Sequence, residues 1–307
     1  MKNLILLVLT LFAFQLSAQT YKELISKANA LYKEESYQTS AEQFDAAFEL
    51  QEGSASDYYN AACSWALADN EKQAIIYIAK STEKGWKNVK WMQQDKDLKS
   101  LHEHADWKKI VANAQANLDE YEKDFDKPLK KQLEEIYMKD QMLRRMIGDV
   151  EEKYGRESDE MSYFWSLISM QDSINEAQVM EIIDERGWVG KSLVGGQANS
   201  ALWLVIQHAP IETQEKYLPL LKASVLEGES RGSHFALLED RILMRNGKPQ
   251  TYGSQITRDE KTDKQIVYEI KDPEYVNQRR AEVGLGPIED YVKRWDIEWT
   301  IEQKTRE

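Results

Sequence analysis

QANSALWLVIQHA, Gln197 to Ala209, decides how the second half of this chain folds. Ala198, Ala201, Leu202, Trp203, Leu204, Val205 and Ile206 leave no polar face at a 3.6-residue period, so the segment reads as a helix enclosed on every side. It is too short to span a bilayer, and its cover must therefore be protein. Gly195-Gly196 marks one end. Pro210, with no amide hydrogen, stops the helix at the other and leaves Gln207 and His208 in the last turn. Polar groups at the tip of a buried helix are the expected seed of a site.

Downstream, Glu212 to Leu226 reads as a helix bent by Pro219. Gly228-Glu229-Ser230-Arg231-Gly232 matches the G-x-S-x-G pattern of serine hydrolases, but a helix precedes it and the last histidine, His234, comes before Asp240, so it reads as a loop. FALLEDRILMR then forms a helix that places an acid and a base, Asp240 and Arg241, on an otherwise apolar element, the signature of a buried hydrogen-bonded network. Gly247 can cap that helix or form a tight hairpin turn with Asn246, and the cap is the preferred reading. KPQTYGSQI and QIVYEI read as one antiparallel hairpin, at about residues 250–270 and the only sheet expected, with Gly253 marking a close approach of another chain or a ligand to the backbone. Asp272-Pro273 starts a helix that carries Arg279 and Arg280 and ends at Gly284. Pro287 opens a last one with Tyr291 and Trp295.

Upstream, Glu157 to Ile168 and Glu176 to Arg186 read as two helices. Gly190-Lys191-Ser192 lacks the glycine and the preceding strand of a phosphate-binding loop. Pro128 starts a helix with Leu129, Leu133, Ile136, Leu143, Ile147 and Val150 on one stripe. Asp140 interrupts that stripe, with Arg144 one turn later to pair with it.

Near the beginning the chain repeats itself at a spacing of thirty-four positions. Leu24 falls on Tyr58, Ala28 on Ala62, Leu31 on Trp65, Ser40 on Ala74, Phe44 on Ile78 and Ala47 on Ser81. Small residues meet small and large meet large, as helix pairs that stack closely require. Tyr37, Ser40, Phe44 and Ala47 resemble the second helix of a tetratricopeptide repeat. The run YNAACSWALADNEKQAIIYIAKSTEKGW resembles the degenerate closing repeat of such arrays in exported bacterial proteins. The likeness covers Tyr21 to Leu118, with departures at Lys27 and at the missing terminal proline. It implies a groove for a protein or peptide, or a module that only packs on the second domain.

Lys2, the apolar run Leu4 to Phe14, and Leu16-Ser17-Ala18 read as a signal peptide cleaved before Gln19, so the expected location is periplasmic or extracellular, with no membrane insertion after cleavage. The division is therefore 1–18 signal peptide, 19–118 tetratricopeptide-like module and 119–307 helical domain with a hairpin. The fold class is mainly α: helix pairs followed by an all-helical domain carrying one antiparallel β-hairpin. A net charge of −13 argues against nucleic acid as a partner. Cys63, the single cysteine, allows no intrachain disulfide and sits among small residues suited to a tight helix contact.

A second resemblance rests on Asp140-Gln141 with Arg144, Gln207-His208-Ala209, Gln214, Leu218-Pro219, Asp240-Arg241, Gly247-Lys248 with Gln250, Tyr252-Gly253-Ser254-Gln255, and Arg279-Arg280 with Gly284-Leu285. These are similar to a family of bacterial proteins known only as a domain of unknown function, over Gln132 to Val292, with Ser254 where threonine is usual. The resemblance implies no activity.

Two functions follow as expectations. One is an envelope binding or scaffold protein that engages a protein or peptide through the repeats and a small ligand in the second domain. The other is a cofactor-independent hydrolase or transferase, with His208 as general acid or base oriented by Asp240, and Arg241 and Gln255 binding an anionic or carbonyl group. The candidate binding set is Gln207, His208, Gln214, Asp240, Arg241, Gln250, Tyr252, Gln255, Arg279 and Arg280. No metal is expected: His208 with His234 falls short of a ligand set, and His102-Glu-His104 points to two sides of a helix.

Overall fold

The computed structural model describes residues 20–259 and 261–305. The signal-peptide segment lies outside them. The fold is mainly α-helical with a single two-stranded antiparallel sheet among the described residues. The chain divides into two compact units, one running to Lys123 and the other starting at Asp124.

The first unit comprises α1 (20–33), α2 (Tyr37–Leu50), α3 (Ala55–Leu67), α4 (Glu71–Glu83), the short α5 (Val89–Gln94), a 3-10 segment (Lys96–Glu103) and α6 (Trp107–Tyr121). Helices meet closely where side chains are short. Ala28 and Ala62, Ser40 and Ala74, Phe44 and Ile78, and Ala47 and Ser81 are all fully enclosed, so four of the six positions related by thirty-four residues are buried in both copies. The Ser40 hydroxyl donates to the Ala28 carbonyl at 2.8 Å and lies 3.0 Å from the Ser64 hydroxyl, which satisfies a polar group inside that close contact. Ser54 and Asp57 form a reciprocal cap at the start of α3. Cys63 is buried and unbridged.

The second unit begins with α7 (Lys127–Arg144), capped by Asp126, and α8 (Ile147–Tyr154). The two helices expected from Glu157 to Arg186 are one 28-residue helix, α9 (Asp159–Arg186). No glycine or proline lies between its halves, so nothing local breaks it. α10 (Lys191–His208) is two helical pieces that meet at Gly195, whose φ of 81° only glycine adopts readily. α11 (Ile211–Leu226) contains Pro219, and α12 (Gly232–Arg245) ends where Gly247 turns left-handed.

α10 forms the core of this unit as a helix packed against α7, α9 and α11. Ala198, Ala201, Leu202, Val205 and Ile206 are buried. Enclosure is not complete, however: Trp203 and Leu204 are only half-buried. The Trp203 ring lies flat on His234 of α12, centroids 4.0 Å apart, so one side of the rod is closed by a single aromatic layer.

The hairpin is shorter than its sequence suggests. β1 (Ile256–Arg258) pairs antiparallel with β2 (Gln265–Val267), while residues 250–255 form a loop that touches Ile270 through one isolated bridge at Gln250. The reason is chemical. The Asp240 carboxylate accepts from the main-chain N–H groups of Thr251, Tyr252 and Ser254, so this stretch wraps around an anion in place of a neighbouring strand. What approaches Gly253 among the described residues is a pair of isoleucine side chains from the same unit. At φ 68°, a Cβ there would lie 2.6 Å from Ile288 and 2.7 Å from Ile270, members of a small apolar cluster with Val276 and Val292. Gly253→Ala is expected to cost about 2–3 kcal/mol through backbone strain and overpacking together. Urea unfolding checks it, and a loss under half that size contradicts this packing. The chain closes with a 3-10 turn at Pro273–Tyr275, α13 (Val276–Glu282) and α14 (Ile288–Val292).

Candidate functional site

The site grows from the carboxyl end of α10. Pro210 prevents continuation, so the last carbonyls need other donors. Gln214 of α11 donates to the carbonyls of Gln207 (2.8 Å) and Ala209 (3.2 Å). Arg241 and Arg245 of α12 donate to those same two, at 3.0 and 3.1 Å. Cations at a helix carboxyl terminus also complement its dipole.

Behind this end lies a polar scaffold. Asp240 is fully buried, and burial pushes its pKa up against the pull of the three amide donors. Gln250, equally enclosed, accepts from the Gln255 amide and donates to the carbonyls of Gln255 and Tyr268. Arg280 is 2% exposed and donates to the carbonyls of Gly286 and Tyr252 at 2.6 and 2.8 Å. Its guanidinium sits 4.9 Å from the Tyr291 ring. Arg279 holds the Thr251 and Lys271 carbonyls. Tyr252, whose phenol is pushed up to about 12 first by burial and then by Glu239, lies outside the cleft described next.

Between α10, α12, the hairpin and the C-terminal turns lies a cleft of about 430 Å³, lined by Gln207, Leu237, Arg241, Ser254, Gln255, Ile256, Thr257, Arg258, Gln265, Tyr291 and Trp295. Arg241 has no carboxylate within ion-pairing distance among the described residues, and only its Nη1 has a hydrogen-bond partner there. Burial, with Arg245 and Arg144 nearby, pulls its pKa down from the usual arginine value. Gln207 is 5% exposed, and its Oε1 is buried with no partner among the described residues.

His208 belongs to a different cluster. Its Nδ1 is 3.0 Å from Oδ1 of Asp140, on α7, so Asp140 orients it and Asp240 does not. The physical reason is helical phase: consecutive residues point about 100° apart, so Gln207 faces α12 while His208 faces α7. Asp140 is 1% exposed. Burial works to raise its pKa, but the hydrogen bond and charge of His208, then Gln141 and Arg144, hold it below the usual carboxylate range. Arg144 reaches Asp172 of α9 at 2.7 Å and Asp140 at 3.4 Å. Donor atoms of Asp140, Asp172 and His208 lie within 4.8 Å of one another, a spacing that could hold a metal, as could Cys63, Asp95 and Asp97 in the first unit. At Asp140 and Asp172, the Arg144 guanidinium already supplies the cation.

Of the residues singled out in the sequence, the cleft thus brings together Gln207, Arg241 and Gln255. Asp240, Gln214, Gln250, Arg279 and Arg280 hold the backbone around it, and His208 faces elsewhere. Ser230 of the G-x-S-x-G loop is 2.8 Å from Ser224 and takes a bond from Asn199, with no histidine in that network. Sequence reasoning missed Asp172, Thr257 and Arg258. The hairpin alternation could have flagged Thr257, but nothing in the sequence pairs Asp172 with Arg144. A family model described as Family of unknown function (DUF6624) matches residues 128–304. No curated protein and no solved structure matches the chain.

Proposed function

The chain belongs to the Family of unknown function (DUF6624), so its role has to be argued from its own geometry, and we propose that it is an exported envelope binding protein whose second unit holds a small ligand. One observation carries this reading. The groups that converge on the 430 Å³ cleft, Gln207, Arg241 and Gln255, recognise a ligand by hydrogen bonds and charge, whereas the two groups suited to proton transfer are committed elsewhere. A hydrolase or transferase built on His208, Asp240 and Arg241 has little support, because Asp240 is consumed by backbone amides and sealed from solvent.

The first unit supports the other half of the proposal. Its successive helix pairs, with matched burial at a thirty-four-residue spacing, fit a tetratricopeptide-like module that engages a protein or peptide partner. The leader at residues 1–18 fits export to the periplasm or beyond. Among the described residues no helix is long and apolar enough to cross a membrane.

The test is native mass spectrometry of protein purified from the envelope fraction. We expect a chain starting at Gln19 that carries a small adduct, and loss of that adduct in Thr257→Trp, where an indole fills the cleft from the half-buried hairpin edge. An adduct that survives Thr257→Trp, or a wild-type chain with none, overturns the binding role of the cleft.

A further inference from the structure

We infer that the cleft takes a monoanionic carboxylate with a hydrogen-bond donor beside it, the chemistry of the C-terminal residue of a peptide or of an N-acylated amino acid. This inference rests on the binding role proposed above and gives it a ligand class.

Two unmet groups set the class. The Gln207 side chain lines the cleft and its Oε1 is an acceptor with no donor among the described residues; the oxygen is turned away from solvent, so a ligand donor meets it when the side-chain amide rotates into the cleft. Leaving such an oxygen unpaired is costly, and only an N–H or O–H group relieves it. The Arg241 guanidinium is the matching cation. It spends Nη1 on the Gln207 carbonyl, which fixes it at the same residue, and has no carboxylate partner among the described residues. Guanidinium pairs with a planar carboxylate through two parallel hydrogen bonds. A C-terminal residue presents both complements one Cα apart, its carboxylate to Arg241 and its own amide N–H to Gln207.

Charge counting favours a single negative charge. The other arginine lining the cleft, Arg258, is exposed and already lies 3.2 Å from Asp263, so one guanidinium is left without a counter-charge. A phosphate dianion would leave half its charge uncompensated in a chain of net charge −13. Tyr291 and Trp295, edge to face at 5.0 Å, together with Ile256, offer an apolar wall for the side chain of the last residue. The volume falls within the range of about 300–1,000 Å³ that small-ligand sites occupy.

Calorimetric titration of the mature full chain tests the class with four probes: acetyl-Ala-Phe as the free acid, the same peptide as its C-terminal amide, the free acid with its last amide N-methylated, and inorganic phosphate. The free acid is expected to bind, and the amide and the N-methyl peptide each to bind about tenfold weaker or worse, since each leaves one buried group unpaired. Arg241→Met should weaken the acid by about tenfold or more. Because Arg241 also caps α10, Thr257→Trp provides a second variant that leaves that cap intact and is expected to abolish binding. Equal affinity for acid and amide, tighter binding of phosphate, or no binding of the acid by folded protein overturns the ligand class. In each of those cases the adduct seen by native mass spectrometry, and its loss in Thr257→Trp, still decides the binding role independently.

Discussion

Asp240→Ala is expected to destabilise the second unit by about 4 kcal/mol, measured as a drop in the urea midpoint. The substitution strips the acceptor from the N–H groups of Thr251, Tyr252 and Ser254, and Arg280 loses the negative charge that helps keep its enclosed guanidinium ionised. Each orphaned amide in a dry site costs about 1–3 kcal/mol, and water entry recovers part of that total. Asp240→Asn should fall only slightly short, because its NH2 group faces donors where an oxygen belongs. A loss below about 1 kcal/mol would show that these amides find other partners, and the account of the short hairpin would fail with it.

Acidification probes a different group. Burial, and then Arg231, depress His234 from 6.5 to about 4, and its Nδ1 has no partner among the described residues. The unfolded chain therefore binds the proton more readily than the folded one. Stability contributed by the neutral ring is fully present above pH 6.5 and declines as pH falls toward 4, by about 3 kcal/mol across that window. Asp140 acts in a separate window: its folded pKa lies below the usual value, so its contribution is lost only as pH falls further. In His234→Phe the ring can still stack on Trp203, and the stability of wild type relative to the variant should fall by about 3 kcal/mol from pH 7 to pH 4. Parallel stability curves would place the titration elsewhere.

Periodicity made the helices and the core legible, because burying apolar faces is a local demand written every three or four residues. Leu129, Leu133 and Ile136 lie inside as their stripe requires, and the Gly195 break and the Pro210 stop stand where backbone chemistry puts them. The site was legible only in part. Gln207, Arg241 and Gln255 line one cleft, but the partner of His208 could not be read from residue type alone. Asp140 and Asp240 offer the same carboxylate, and which one reaches the imidazole depends on how α7 and α12 pack around α10. The loop at 250–255 misled for a related reason. Its alternating residues fit a strand until a carboxylate from a neighbouring helix outcompetes the ladder for the amides.

Two strands of three residues each are far too little to persist alone in water. Here the ribbon borrows its order from α12, since the segment leading into it is lashed to a helix by one side chain and to the Tyr268 carbonyl by another, Gln250. Its root is thus held in place, while the described residues of its far turn, 259 and 261–264, belong to no apolar cluster. Asp263 is the one described residue of that turn with a partner in the cavity wall, Arg258, so the composition around it is free to drift only where that ion pair is kept.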